Sequence, residues 1–344
     1  MIKKINVAVV GVNGAVGESI LALLEERDFP LEKIFLLDLE QSAGNRLQVR
    51  GKYQAVSPLE TFDFSQVQVA FFATSNETSA EYATRAATSN CVVIDNSSHF
   101  SGDEGVPLVV PEVNPEALAD FRTRRIIASP TPITTLMLLA LKPIYDAVGI
   151  QRINIATYQA VSELGKAAID ELASQTVALL SMQKPKREVF TTQIAFNVLS
   201  QIGELASNGY SREEMKMMTE SQKILRDQDI VINATAARVP VFFGHSAAIH
   251  LETREKLTAA AARKLLKASS VVSVVDGSSG TSKAGSFPNA IDTVEGNDAV
   301  LVGRIREDLS HPRGLDLWVV ADSIHRCVAL NSVQIAEFVV KEPL

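Results

Sequence analysis

A few polar residues in this 344-residue chain have the types and spacing to do chemistry. Arg238 and His245 bracket the segment Arg238-Val239-Pro240-Val241-Phe242-Phe243-Gly244-His245, where Pro240 and Gly244 break regular strand pairing and predict a bend. An arginine grips a carboxylate in two-pronged fashion, and a histidine shuttles protons near neutral pH. A lone histidine is also a common structural group, so the pair reads either way. Gln159, in Tyr158-Gln159-Ala160-Val161-Ser162, ends a predicted strand and can present its amide to a ligand or leave it in solvent. Glu213 and Lys216 open a predicted helix and share one face by their i, i+3 spacing. Acids in a first helical turn also complement the helix dipole, which leaves Glu213 open to a purely structural reading. At Ser129-Pro130-Thr131-Pro132 a strand meets an apolar helix, at a helix N-terminus that would stabilise a thiolate or another anion.

The elements that must position these residues begin with the strand Ile5 to Val10, the turn Gly11-Val12-Asn13-Gly14-Ala15-Val16-Gly17 and a helix over Ser19 to Glu26. This order lets backbone amides cradle a pyrophosphate at a helix N-terminus, with Gly11, Asn13, Gly14, Ala15, Val16 and Gly17 as the cofactor-binding residues. The spacing is GxxGxxG rather than GxGxxG, and glycines that merely allow close strand–helix packing give the same pattern. Asp38 ends a second strand about 20 residues beyond the turn, where an acid can hydrogen-bond ribose hydroxyls and repel a 2′-phosphate, or can simply be a solvated acid at a strand end. NAD is therefore expected over NADP.

Further strands at Val67 to Ala73, Val92 to Asp95 and Arg125 to Ala128 alternate with helices at Ser79 to Ala87 and Pro115 to Phe121. The fold class is α/β: a Rossmann-type parallel-sheet nucleotide domain, followed by an α+β substrate and dimerisation domain. The expected boundaries are 1–131 with 324–344 for the first and 132–323 for the second. In the second, strands are read at Arg152 to Val161, Val231 to Phe243, Ala247 to Glu252, Ala299 to Ile305 and Leu315 to Ala321. Helices are read at Lys166 to Leu180 and Ser211 to Arg226, and a last helix at Val328 to Val340. Ser278 to Ser282 reads as a loop.

A formal charge of −7 argues against a nucleic-acid partner, and no apolar run approaches the ~20 residues that span a bilayer. The start of the chain lacks signal-peptide character, and Cys91 and Cys327 give neither a disulfide framework nor a metal-ligand spacing. A cytoplasmic homodimer without a metal is expected.

Together the glycine turn, Val106 to Asn114, Leu141 to Asp146, Tyr158-Gln159, Glu213 to Lys216, Arg238 to His245 and Asn331 to Glu337 resemble the aspartate-semialdehyde dehydrogenases over essentially the full length. That family reduces aspartyl phosphate with NADPH through a cysteine thioester. The resemblance implies that Arg238 holds a small substrate's carboxylate and that Glu213 meets its amino group. It also implies that Lys216 serves the anion site, Gln159 orients the acyl intermediate and His245 is the acid/base.

The departures from the family pattern cluster. Thr131 and Pro132 stand where the family has asparagine and the catalytic cysteine, and Ser101 stands where it has a phosphate-binding arginine. Asp38, Leu39, Glu40 and Gln41 replace residues that favour NADP. Asp322 to Cys327 depart from the family's closing motif, and Ser162-Glu163-Leu164-Gly165 replaces a flexible Ser-Gly turn. Proline cannot form the thioester, though it suits a first helical position that Thr131 could cap. The leading expectation is a Usg-type paralogue, inactive in the thioester reaction, that keeps a carboxylate-binding cleft and NAD binding. The alternatives are an NAD(P)-dependent oxidoreductase acting on an aldehyde or oxo group without a cysteine, and a substitute nucleophile at Cys327.

Overall fold

The computed structural model describes residues 4–277, 287–293 and 298–342, so the loop expected at 278–282 lies outside the described residues. The chain divides into two compact units, residues 1–131 with 328–344 and residues 132–327.

The first unit is built on β1 (Ile5–Val10), α1 (Ala15–Glu26), β2 (Leu31–Asp38), β3 (Arg46–Val49), β4 (Lys52–Ala55), β5 (Ser57–Pro58), β6 (Val69–Phe72), α2 (Asn76–Thr88), β7 (Val92–Asp95) and β8 (Ile126–Ala128). Six strands form one sheet in the order β5-β2-β1-β6-β7-β8, parallel throughout. Its central strands are mainly apolar because both faces are covered, as in the fully buried β6 and in β7, which is apolar up to its last residue, Asp95. The β3–β4 hairpin was not foreseen. The helix expected at Pro115 to Phe121 is instead a 3₁₀ helix, Pro115–Arg122. Asn114 does not cap it, because its side chain bonds the Val110 amide and the Leu108 carbonyl, and short uncapped turns commonly adopt the tighter 3₁₀ spacing.

The second unit contains α3 (Pro132–Val148), β9 (Ile150–Gln159), α4 (Lys166–Leu180), α5 (Arg212–Leu225), β10 (Val231–Arg238), β11 (His245–Thr253), α6 (Ala259–Ala268), β12 (Val272–Val274), β13 (Val300–Glu307) and β14 (Gly314–Ala321). Its sheet runs β10-β9-β11-β14-β13-β12. The outer pairs β10/β9 and β12/β13 are parallel and the inner pairs antiparallel, which makes the sheet mixed. The strand expected over Val231 to Phe243 stops at Arg238. Pro240 has no N–H to donate, and Gly244 turns the chain at φ +83°, where an added Cβ would meet the Thr293 hydroxyl and the Ala290 carbonyl within 3 Å.

The single terminal helix expected over Val328 to Val340 is in fact a wide π turn, His325–Leu330, followed by α7 (Asn331–Val339). Within the first unit, the buried Asn331 amide then donates to the Val109 carbonyl and the Ser129 hydroxyl.

Helix α5 is anchored by a reciprocal cap: the Ser211 hydroxyl accepts from the Glu214 amide while the Glu214 carboxylate accepts from the Ser211 amide. The second Glu214 oxygen accepts from the Ala236 amide of β10 at 2.8 Å, fastening helix to strand. Glu214→Ala leaves two buried N–H groups without acceptors. It is expected to lower unfolding stability by about 2–4 kcal/mol, read from urea denaturation.

Candidate functional site

Backbone register gathers the site in the second unit. β9 and β10 pair in parallel with Arg238 directly opposite Gln159, and β11 enters antiparallel on the other side of β9 with His245 as its first residue. The chains leaving β9 and β10 stay bonded to each other, Val239 N to Gln159 O, Val161 N to Val241 O and Ser162 N to Phe242 O. A short 3₁₀ turn, Val161–Leu164, then carries Glu163 back over the strand ends.

Glu163 makes a short contact with Arg238. Its Oε2 accepts from Arg238 Nη1 at 2.6 Å, and the same nitrogen donates to the Ala160 carbonyl at 2.8 Å. The Arg238 side chain is 5 % exposed and that of Glu163 21 %. Burial alone would raise the Glu163 carboxyl. The Arg238 guanidinium, by its charge and its hydrogen bond, and the charge of Lys216 act against it, and the group lies below the ordinary carboxylate range.

His245 accepts a hydrogen bond at Nδ1 from the Ala160 amide, which leaves the ring proton on Nε2, 3.8 Å from Glu163 Oε2. Burial drives its pKa down to about 4, so the ring is neutral at physiological pH. Glu213, also buried, is pushed up to about 8 by desolvation first and by the charge of Glu163 second. It is a neutral carboxyl over most of the physiological range. Lys216 lies on the same helix, half-buried, with its charge felt by both glutamates.

The Gln159 side chain donates to the Thr157 hydroxyl at 3.3 Å. Its Oε1 has no hydrogen-bond partner, nor do His245 Nε2, Ser162 Oγ or Glu213 Oε1, all deeply buried. Such orphaned groups are costly in a fold and mark a place where a ligand completes the bonding. The structure therefore brings Gln159, Arg238, His245, Glu213 and Lys216 into one cluster. Glu163, at a position that differs from the family's small turn, is the member that sequence reasoning left without a role. The available signal was an acid replacing a flexible turn four residues beyond Gln159.

The glycine turn of the first unit resolves into two functions. Gly11 has φ +79° and an added Cβ would lie 2.2 Å from the Ala73 carbonyl, while at Gly17 it would meet the Gly11 carbonyl at 2.5 Å. These two serve close packing. A Cβ at Gly14, the N-cap of α1, meets only the Gly11 carbonyl at 3.4 Å, and no side chain caps the helix. The first amides of α1, from Ala15, Val16 and Gly17, have no intrahelical acceptors, which fits a nucleotide phosphate. Asp38 is aimed at the same turn: Oδ2 accepts from the Asn13 side chain at 2.8 Å and backbone at 3.3 Å, and Oδ1 from Leu39 N.

Pro132 is the first residue of α3, directly after Thr131. Ser101 turns its hydroxyl to the Ser98 carbonyl. Cys91 and Cys327 are both wholly buried and neither is in a disulfide; burial pushes the Cys91 thiol far up. Asp322 is occupied with the Ile324 and His325 amides. Among the described residues no group of three or more His, Cys, Asp or Glu could hold a metal ion, and no helix is long and apolar enough to cross a membrane.

A Rossmann-type unit with a phosphate-ready turn, joined to a mixed-sheet unit with a polar cluster at its strand ends, defines a nicotinamide-nucleotide dehydrogenase architecture. Residues 6–121 match the profile of the semialdehyde dehydrogenase NAD-binding domain, and residues 141–326 that of the semialdehyde dehydrogenase dimerisation domain. Aspartate-semialdehyde dehydrogenase 2 of Vibrio cholerae is 49% identical over 342 residues, covering 99% of both chains. Aspartate-semialdehyde dehydrogenase of Shewanella sp. is 50% identical over the same length and coverage. The crystal structure of aspartate semialdehyde dehydrogenase II from Vibrio cholerae, complexed with ASA, superposes with a TM-score of 0.95 over 99% of this chain and 100% of that one. The chain belongs to the aspartate-semialdehyde dehydrogenase family.

The charge state of the cluster has a signature in stability. An acid with a raised folded pKa keeps its proton after the unfolded chain has released it. Glu213 therefore contributes stability that is complete below 4.5 and is lost as pH rises through about 8. Lowered groups act oppositely: the His245 contribution is complete above 6.5 and is lost as pH falls through about 4. Between about pH 6.5 and 8 the wild type should lose stability with rising pH, and Glu213→Gln should flatten that slope in urea-unfolding midpoints. Parallel slopes for the two proteins would contradict the assignment.

Proposed function

We propose that this chain is a dehydrogenase-family paralogue that has given up the thioester reaction while keeping the ligand cluster and a nicotinamide-nucleotide site. The observation that carries this reading is Pro132 at the first position of α3, the place where the resemblance puts the catalytic cysteine. Proline has no nucleophilic side chain, and the two thiols of the chain are wholly buried elsewhere. Ser101 in place of the phosphate-binding arginine supports the same conclusion.

In this reading Arg238 is the carboxylate-gripping residue, His245 Nε2–H donates to a ligand carbonyl oxygen, Gln159 Oε1 accepts from a ligand N–H or O–H, and Glu213 and Lys216 complete the ligand shell. The nucleotide would rest on the amides of Gly14 to Gly17 with its ribose at Asp38. When bound it supplies hydride exchange with a carbonyl carbon. The anionic Asp38 disfavours a 2′-phosphate, so NAD is the nucleotide assigned. The match to a dimerisation domain, with Val177 and Leu180 of α4 strongly exposed, supports a homodimer. A cytoplasmic location belongs to the same reading.

Purified protein is expected to show no phosphate-dependent reduction of NAD or NADP with aspartate semialdehyde. Measurable turnover would overturn the reading, and turnover without phosphate would instead identify a cysteine-independent oxidoreductase. Pro132→Cys alone should stay inactive, since Thr131 and Ser101 still lack the family's asparagine and arginine. In calorimetric titration NAD should bind at least about ten-fold more tightly than NADP, a difference of ~1.4 kcal/mol. Asp38→Ser should narrow that gap.

A further inference from the structure

The group on Arg238 is itself a carboxylate. Glu163 meets Nη1 at 2.6 Å, in the position where a charge-assisted bond to a ligand carboxylate would form. Its backbone is fastened there by the bonds of Val161 and Ser162 to Val241 and Phe242. Tethered in this way, it is present at an effective concentration that a free ligand must exceed.

A second carboxylate brought to Arg238 would also face Glu163 as a like charge in a largely buried setting. The polar atoms still without partners, Gln159 Oε1, His245 Nε2–H, Ser162 Oγ and Glu213 Oε1, offer hydrogen bonds rather than a compensating positive charge. The charge of Lys216 also reaches Glu163.

We propose that Glu163 is the specificity-determining residue of this site. Its side chain is a built-in guest on Arg238, so the site accepts ligands whose corresponding end is an uncharged polar group, such as a carboxamide or carbonyl, and turns away free carboxylates. Specificity here comes from an introduced repulsion as much as from attraction. The proposal rests on the reading of Arg238 as the carboxylate-gripping residue.

Succinate and succinamate differ by one carboxylate replaced with a carboxamide, and their binding to the full-length protein can be compared by calorimetry near neutral pH. The wild type should prefer succinamate. Glu163→Ala should bind succinate at least about ten-fold more tightly than the wild type does and reverse the preference. Adding Arg238→Leu should abolish that gain. Glu163→Gln keeps the side-chain volume and removes the charge, so it provides the same comparison if the alanine variant does not fold, with a smaller gain expected.

Equal succinate binding by wild type and the Glu163 variants, lost with Arg238→Leu, overturns the role of Glu163 and leaves that of Arg238 standing. Failure of either ligand to bind any of these proteins overturns both.

Discussion

The parallel pairing of β9 with β10 is the constraint from which the site follows. It sets Gln159 beside Arg238 at the ends of two neighbouring strands, and the antiparallel entry of β11 adds His245 from the other side. Because the chains that leave β9 and β10 remain bonded to each other, Glu163 returns to Arg238 as a result of main-chain geometry. Buried charges of this kind contribute little net stability as a pair, but isolating either one costs about 3–5 kcal/mol. The fold therefore holds Glu163 and Arg238 together more firmly than it benefits from their attraction.

One carboxylate also sets the ionisation of its neighbours. Its negative charge adds to desolvation in keeping Glu213 protonated, and its pairing leaves Arg238 balanced rather than free. His245 stays neutral because burial outweighs the nearby acid. The cluster is thus electrically quieter than its inventory of two glutamates, a lysine, an arginine and a histidine suggests. Hydrogen-bond geometry, more than charge, is what it offers.

Much of this was legible in the residues. Apolar runs separated by amphipathic segments fixed the two kinds of sheet, and strand–turn–helix order located the glycine turn. The bend at Pro240 and Gly244 followed from a missing N–H and a left-handed φ. What could not be read was any feature created by register. Nothing in the separate segments says that Arg238 pairs with Gln159, and without that pairing Glu163 is only an acid in a turn. Element ends failed for a related reason: β10 stops where a local backbone restriction overrides strand-forming residues, and the terminal helix opens with a π turn ahead of a buried Asn331. The i, i+3 spacing from Lys216 singled out Glu213, but nothing singled out Glu214; the structure shows Glu214 capping the helix and Glu213 facing the cluster.

Pro132 has a consequence beyond the absent thiol. Any other residue at the start of α3 would carry a main-chain N–H at the positive end of the helix, and proline carries none. The single residue thus subtracts both a side-chain nucleophile and a main-chain donor while leaving the helix well formed. Reversal is correspondingly lopsided. One substitution restores the donor, or donor and thiol together, but neither returns an arginine at position 101 nor removes the acid at 163. Under the proposed function, the departures at 132, 101 and 163 tolerate one another, and undoing one leaves the other two in place.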